Sequence, residues 1–411
     1  MIAAAAMLDE LDGFALWDGE RDRGPVRISW SGDRIEAVDP APDRHQGLAV
    51  IPGLVDTHVH LDTNAVNGAG PGDAWPLVTP PEEQAIHVLG HALRFAACGV
   101  TTLRDLAASP VQIAVGRALD EGAVLGPRLL AFGPVGMTAG HGDLFTPPRF
   151  RDRPPVADSP DQCRALVRTW AREGANGIKI YTSGGVLSLG DQVRWRNQTR
   201  AEIAATIDEA HALGMLVAAH SHTAEGIDIA LAEGADSIEH GTGMTPGQFG
   251  PLTDRNVPVA PTLLINDILA AGGAGVRPEA QRKAAAIVSG QATVLRAAAE
   301  AGVRFVLGTD ANGRFVRHGG QHLELRRMSE SFGWSAERTL AAATSDAAAA
   351  IGMGDSIGRI APGFAPDLVI VRGRPWQALE ELTTENIVAV ICRGQLVSGR
   401  VPALAGAGRE S

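Results

Sequence analysis

Lysine is nearly absent from this chain. Of 36 basic residues only Lys179 and Lys283 are lysine, all the others being arginine. Arginine therefore serves wherever a plain positive charge is wanted, and a surviving lysine in an unusual place asks for a chemical reason. Cysteine is scarce too: Cys98, Cys163 and Cys392 stand far apart with no C-x-x-C spacing, which argues against both a disulfide framework and a thiolate zinc site and fits a reducing compartment. No run of 18 or more apolar residues occurs, so no membrane span is expected. The opening Met1-Ile2-Ala3-Ala4-Ala5-Ala6-Met7 lacks a basic n-region and reaches Asp9 too soon for a signal peptide. A basic surplus is missing as well; the formal charge is −11, which argues against nucleic acid or an anionic membrane as partner. A small-molecule partner and a cytoplasmic location are the expectations left standing.

What is present is a chain of 411 residues, 45% hydrophobic and 20% charged, long enough for a barrel of roughly 250 to 300 residues plus an accessory domain. From about residue 10 to 52 short alternating stretches such as Val26-Arg27-Ile28-Ser29-Trp30, before Ser31-Gly32-Asp33, predict small strands and turns. From Leu54 onward apolar runs of strand length alternate with Ala-rich stretches of helical period, the pattern of a parallel sheet. Eight strands are expected: Leu54 to His60, Val100 to Asp105, Arg128 to Gly133, Gly177 to Tyr181, Leu216 to His220, Ser237 to Gly241, Pro258 to Thr262 and Arg304 to Asp310. Eight βα units, with no G-x-G-x-x-G after the first strand, favour a closed (β/α)8 TIM barrel over an open nucleotide-binding sheet. After Ile357 short strands return, at Asp367 to Val371 and Ile387 to Cys392. The expected organisation is an α/β fold with the barrel at 54–356 and a small β-sandwich domain built from both chain ends, 1–53 and 357–411.

The first barrel strand ends Asp56-Thr57-His58-Val59-His60, and alternation puts His58 and His60 on one face at the strand's C-terminal end, where barrel enzymes place their chemistry. Strand four carries Lys179 between Ile178 and Ile180. A bare ammonium there is costly, and burial favours the neutral amine, which can capture carbon dioxide as a carbamate offering two oxygens to two cations. The plainer alternative is a buried Lys179 paired with a carboxylate such as Asp105. Tyr181, the one tyrosine, shares the face of Lys179 and is expected to orient the carbamate, touch substrate, or line the rim. His220 and His222 follow strand five, His240 closes strand six and Asp310 ends strand eight. In a closed barrel these ends converge on one mouth.

The set His58, His60, Lys179, His220, His240 and Asp310 resembles the ligand set of the binuclear amidohydrolase superfamily. The phrases from Ile51 to His60, Gly140-His141-Gly142-Asp143, Ile178 to Val186, Ser237 to Gly241, and Pro362-Gly363 followed by Ala365-Pro366-Asp367-Leu368 resemble the branch that holds prolidase-like Xaa-Pro dipeptidases and ochratoxinase. The resemblance implies two divalent metal ions, zinc being the default, with His58, His60 and Asp310 on one, His220 and His240 on the other, and carbamylated Lys179 bridging both. It further implies a metal-bridging hydroxide as nucleophile, Asp310 as proton carrier, and His141 as a donor to the developing oxyanion. His222 is left for substrate contact; Ser221-His222 departs from the H-x-E of the superfamily's deaminases and counts against deamination.

The implied substrates are amides with a free carboxylate, such as dipeptides or N-acyl amino acids, for which an arginine fork is wanted. Arg149, Arg151, Arg194, Arg196, Arg314 and Arg317 lie near the expected mouth, and Arg196 and His318 join His141 and His222 as expected substrate contacts. His87 and His91, four apart, are expected on a solvated helix face, His322 in a solvated loop at the mouth after strand eight, and His45 and His211 outside the pattern. A second reading keeps the site but changes the bond to a carbamate, urea, lactone, cyclic amide or phosphotriester. A third, a non-catalytic scaffold, predicts missing ligands, and all six are present. The oligomeric state is left open, a homo-oligomer included.

Overall fold

A computed structural model describes residues 8–64, 74–151, 153–273 and 275–402; the opening Met1 to Met7 lies outside them. Four strands come first, β1 (Glu10–Trp17), β2 (Asp22–Ser31), β3 (Arg34–Pro40) and β4 (Leu48–Pro52). Seven follow in the middle of the chain, β5 (Leu54–Val59), β6 (Val100–Leu106), β7 (Arg128–Val135), β8 (Gly177–Tyr181), β9 (Leu216–Ser221), β10 (Ser237–His240) and β11 (Val259–Ala260). The last three are β12 (Leu368–Arg372), β13 (Ile387–Cys392) and β14 (Gln395–Gly399).

The chain ends do pair. Their sheet runs β14-β13-β12-β4-β1-β2-β3, joined where β12 lies antiparallel to β4 with Val369 opposite Ile51 and Ile370 opposite Val50. One face supplies Phe14, Ile28, Val50, Ile370 and Ile391 to a common apolar core. The sheet folds over on itself: a side chain at Gly394, in the β13–β14 turn, would meet the Gly32 carbonyl at 2.7 Å and the Trp30 indole at 2.9 Å. Asp367, buried just before β12, ties this sheet to the barrel through an ion pair with Arg128 of β7, and braces the β13–β14 turn by accepting the backbone N–H of Arg393 at 2.8 Å.

The second sheet runs β5 to β11 in sequence order, each neighbouring pair parallel, with helices between, as the alternation of patterns predicts. Leu106, Phe132 and Ala218 fill the interior, and Leu216, Ala218 and His220 share one face of β9 by alternation. Two of the eight expected strands are corrected. Pro258 to Thr262 is in the ladder only at Val259–Ala260, because Pro258 has no N–H to give and Thr262 turns left-handed (φ 45°) to start the helix Leu263–Ala271. Arg304 to Asp310 forms no regular strand. It closes the barrel by single bridges, Phe305 to Val259 and Ala311 to Val59, since the Leu307 N–H bonds the Ala342 carbonyl and the Thr309 N–H bonds the Asp56 carboxylate. No helix among the described residues is long and apolar enough to cross a membrane.

Candidate active site

The expected histidines of β5, β9 and β10 and Asp310 meet at the C-terminal end of the barrel. His58 lies in β5 and His60 just past it; Lys179 is central in β8, His220 in β9, His222 beyond its end, and His240 closes β10. Ligand atoms of His220, His222 and His240 lie within 4.8 Å of one another, as do those of His58, His240 and Asp310. His240 belongs to both groups, so they form one cluster. His60 joins it through Nε2, 3.1 Å from Asp310 Oδ1, with His58 Nε2 at 3.6 Å from the same oxygen. His222, expected from the sequence as a substrate contact, thus stands within ligand range of His220 and His240.

Local backbone geometry aims these groups. His240 (φ 68°), Asp310 (φ 52°) and Thr262 (φ 45°) are non-glycine residues in the left-handed region, a conformation that costs of order 1–3 kcal/mol each and gathers at functional sites. The ring nitrogens not facing the cluster are held: His58 Nδ1 by Glu239 Oε2 at 2.8 Å, His240 Nδ1 by Thr262 Oγ1 at 2.7 Å, His222 Nδ1 by Thr242 Oγ1 at 2.8 Å. Fixing one nitrogen orients the other. Burial pushes the His58 ring down to about 4 and His222 to about 3, with His220 and His240 also well below the usual range. Neutral imidazole is the form that binds a metal. Burial drives the Asp310 carboxyl up, but His58, His60 and Lys179 more than offset it, so it remains ionised.

Lys179 is 2% exposed, and its Nζ has no hydrogen-bond partner among the described residues. The pairing with Asp105 is not made; that carboxylate accepts the Leu61 N–H at 3.3 Å, and burial beside Asp62 drives its pKa well up. Burial brings the Lys179 ammonium down to about 8, against the opposing pull of Glu239 and Asp310. A largely buried, unpaired amine that is readily deprotonated, facing neutral imidazoles and a carboxylate, is a donor set suited to divalent cations.

A model of the amidohydrolase family matches residues 49–397 of the chain. The chain belongs to the amidohydrolase family. It is 27% identical over 372 residues to the ochratoxinase of Aspergillus niger, covering 85% of this chain and 75% of that protein. It is also similar to the crystal structure of a Xaa-Pro dipeptidase with methionine in its active site, with TM-score 0.84 and 30% identity over 94% of this chain and 98% of that one. A prolidase complexed with N-methylphosphonate-L-proline gives TM-score 0.83 and 30% identity over 95% and 99%.

In this amidohydrolase His141 stacks on His220, ring centroids 4.4 Å apart, with Nδ1 2.9 Å from Ser188 Oγ and its backbone N–H on Asn197 Oδ1 at 2.6 Å. Gly185 makes room: a Cβ there would lie 1.9 Å from the His141 ring. Tyr181 is buried, edge-on to both His141 (5.4 Å) and His220 (5.9 Å). Arg196 does not turn toward these rings. It is exposed and lines a surface groove with Arg200, Glu225 and Asp228; the next residue, Asn197, is the one that faces inward. His318 is also corrected, for its Nε2 donates to the His60 carbonyl at 3.0 Å and so backs a cluster residue. His91 is fully buried and not solvated, its ring 4.2 Å from that of His318 and its Nε2 on the Thr63 carbonyl at 2.6 Å. The helix face bearing it is turned toward the barrel top.

Sequence reasoning missed the polar layer beneath the cluster. Arg104 of β6, 1% exposed, reaches across the barrel to Glu239 Oε1 at 2.7 Å and gives its Nε–H to the Thr57 carbonyl at 2.6 Å. Against the push of burial, Arg104 and His58 hold the Glu239 carboxyl far below the usual range. The signal was available: a charge inside the strand Thr101-Thr102-Leu103-Arg104-Asp105 poses the same question as Lys179. Asp56, two residues before His58, accepts from the Thr309 N–H and hydroxyl at 3.1 and 2.8 Å and ties β5 to the closing segment.

Proposed function

We propose that this amidohydrolase cleaves an amide C–N bond in a small substrate that carries a free carboxylate, a dipeptide or an N-acyl amino acid. The observation that carries the reading is the buried, unpartnered Lys179 amine beside the neutral imidazoles of His58, His220, His222 and His240 and the ionised Asp310. His58, His60 and Asp310 would hold one divalent cation, His220 and His240 a second, with carbamylated Lys179 between them and zinc as the default metal. Bound there, such cations supply Lewis acidity toward the scissile carbonyl and lower the pKa of a shared water.

The protein's own groups do the rest. Asp310 presents Oδ1 to His58 and His60, which leaves Oδ2 to take a proton from water and return it to the leaving nitrogen. His141 and Tyr181 wall the side of the pocket at β8 and β9, where they orient the reacting amide. His222, its Nδ1 fixed on Thr242, contributes Nε2 either to the cations or to substrate. The amide class is supported by the named activities of the similar Xaa-Pro dipeptidase and prolidase.

Metal analysis of the purified protein, paired with hydrolysis assays on Xaa-Pro, Xaa-Arg and N-acyl amino acid panels, tests the reading. About two metal equivalents per chain are expected, with turnover on at least one panel. A single equivalent, or hydrolysis confined to ureas, lactones or phosphotriesters, would overturn it in favour of a mononuclear site or a different scissile bond.

A further inference from the structure

The chain's second lysine and a buried carboxylate remain unexplained by the hydrolytic reading, and they occur together. Asp191, 1% exposed, lies on the β8 side of the mouth in the loop that follows Ser183. Its Oδ2 accepts the Gly185 N–H at 2.7 Å and the Ser188 hydroxyl at 2.6 Å, and lies 3.4 Å from His141 Nδ1. Burial pushes this carboxyl up, but the nearby His141 ring and the hydrogen bonds from Ser188 and Gly185 hold it below its ordinary value, so it stays charged. Ser188 has one hydrogen, and giving it to the carboxylate leaves Oγ as an acceptor for His141, 2.9 Å away. The hydrogen of a neutral His141 ring then belongs on Nδ1, and Nε2 carries the lone pair.

The same loop is clamped from outside by the helix Pro278–Val288. Lys283 Nζ donates to the Ser188 carbonyl at 2.8 Å and pairs with Glu279 Oε1 at 2.8 Å, Arg277 donates to the Leu187 carbonyl at 2.5 Å, and Glu279 Oε1 accepts the Gly190 N–H at 3.1 Å. A compact ammonium with three donors suits a point where one head must meet a carbonyl and a carboxylate at once; a planar fork suits it less.

We propose that Asp191, acting through Ser188, is a positioning residue for amide hydrolysis: it fixes the ring plane and the Nδ1 hydrogen of His141, so that Nε2 is the atom presented to substrate. The clamp from the helix Pro278–Val288 keeps the loop in register. This rests on the reading that the histidine cluster is a hydrolytic site. It also alters what His141 can do there, since a neutral ring in this arrangement accepts at Nε2, and donation to an oxyanion requires the imidazolium, whose charge Asp191 faces.

Two measurements test this independently. In the full-length, metal-stripped protein labelled with 15N-histidine, the His141 signals, identified by their loss in His141→Gln, should report hydrogen on Nδ1 in the wild type and a changed ring state in Asp191→Asn and Ser188→Ala. Hydrogen on Nε2 in the wild type, or no change in either variant, overturns the proposal. In the metal-loaded enzyme Asp191→Asn should lower kcat by about 10- to 100-fold with KM and metal content held, and should cost nothing further in a His141→Gln background. An equal loss in both backgrounds contradicts action through His141. Ser188→Ala removes the bridge while keeping the carboxylate, and serves as the test if Asp191→Asn does not fold. Should the wild type hydrolyse no amide, the functional reading fails while the ring-state measurement still decides this one.

Discussion

The sheet built from the chain ends and the mouth of the barrel are made on opposite terms. In the sheet, Phe14, Ile28, Val50 and Ile370 bury apolar faces, and ion pairs such as Arg27 with Asp12 lie toward solvent. At the mouth the buried groups are imidazoles, carboxylates and an unpartnered amine, and left-handed backbone falls on His240, Thr262 and Asp310. The first region stabilises the fold; the second spends that stability on holding reactive groups where water would otherwise take them. Substitutions in the two regions should therefore move activity and stability separately.

The largest separation is expected at Asp310. Asp310→Asn should lower kcat by about 10²- to 10⁴-fold with metal retained and unfolding little altered; steady-state kinetics beside metal analysis checks it, and preserved turnover would erase the functional side of the contrast. Arg104→Met comes next, because it strands the Glu239 carboxylate and removes the donor to Thr57. A loss of about 3–5 kcal/mol in denaturant unfolding is expected, and a change under 1 kcal/mol would show that the layer under the cluster carries no charge worth pairing. Ile370→Ala, in the end sheet, should cost about 2–5 kcal/mol while kcat and metal content per folded molecule stay at wild-type values.

The smallest expected effect has the opposite sign. In metal-stripped protein kept free of carbon dioxide, Lys179→Met should raise stability by about 1–3 kcal/mol, since it deletes a buried charge that has no partner. The native amine titrates at about 8 against 10.5 for the unfolded chain. Between these values the unfolded state binds more protons, so wild-type stability rises with pH there, and the advantage of Lys179→Met should shrink from pH 8 to 10.5. An advantage that grows over that range would mean the amine is stabilised as a cation in the fold.

Much of this was legible in the sequence where a residue contradicts its surroundings. Lys179 inside an isoleucine strand, and histidines at the ends of apolar runs, announce a site because nothing in core packing asks for them. The barrel was legible through its alternating patterns, and β5 to β10 fall where expected. The closing segment was not: Arg304 to Asp310 has the composition of a strand, but the Leu307 and Thr309 N–H groups go to Ala342 and Asp56, partners off the neighbouring strand's ladder. Arg196 and His318 illustrate the same limit. Proximity to the mouth in sequence does not say which way a loop side chain turns, and that is decided by neighbours such as Asn197 and the His60 carbonyl. His91 was misjudged because a helix face carrying a polar residue is solvated only if nothing packs over it.

Lys179 is the residue on which the two-cation account turns. An anomalous-difference map from crystals of the metal-loaded protein addresses it most directly. Two peaks within the cluster of His58, His60, His220, His240 and Asp310, with extra density continuing from the Lys179 amine between them, are the predicted result. A bare Lys179 side chain with one peak or none beside it would contradict the account.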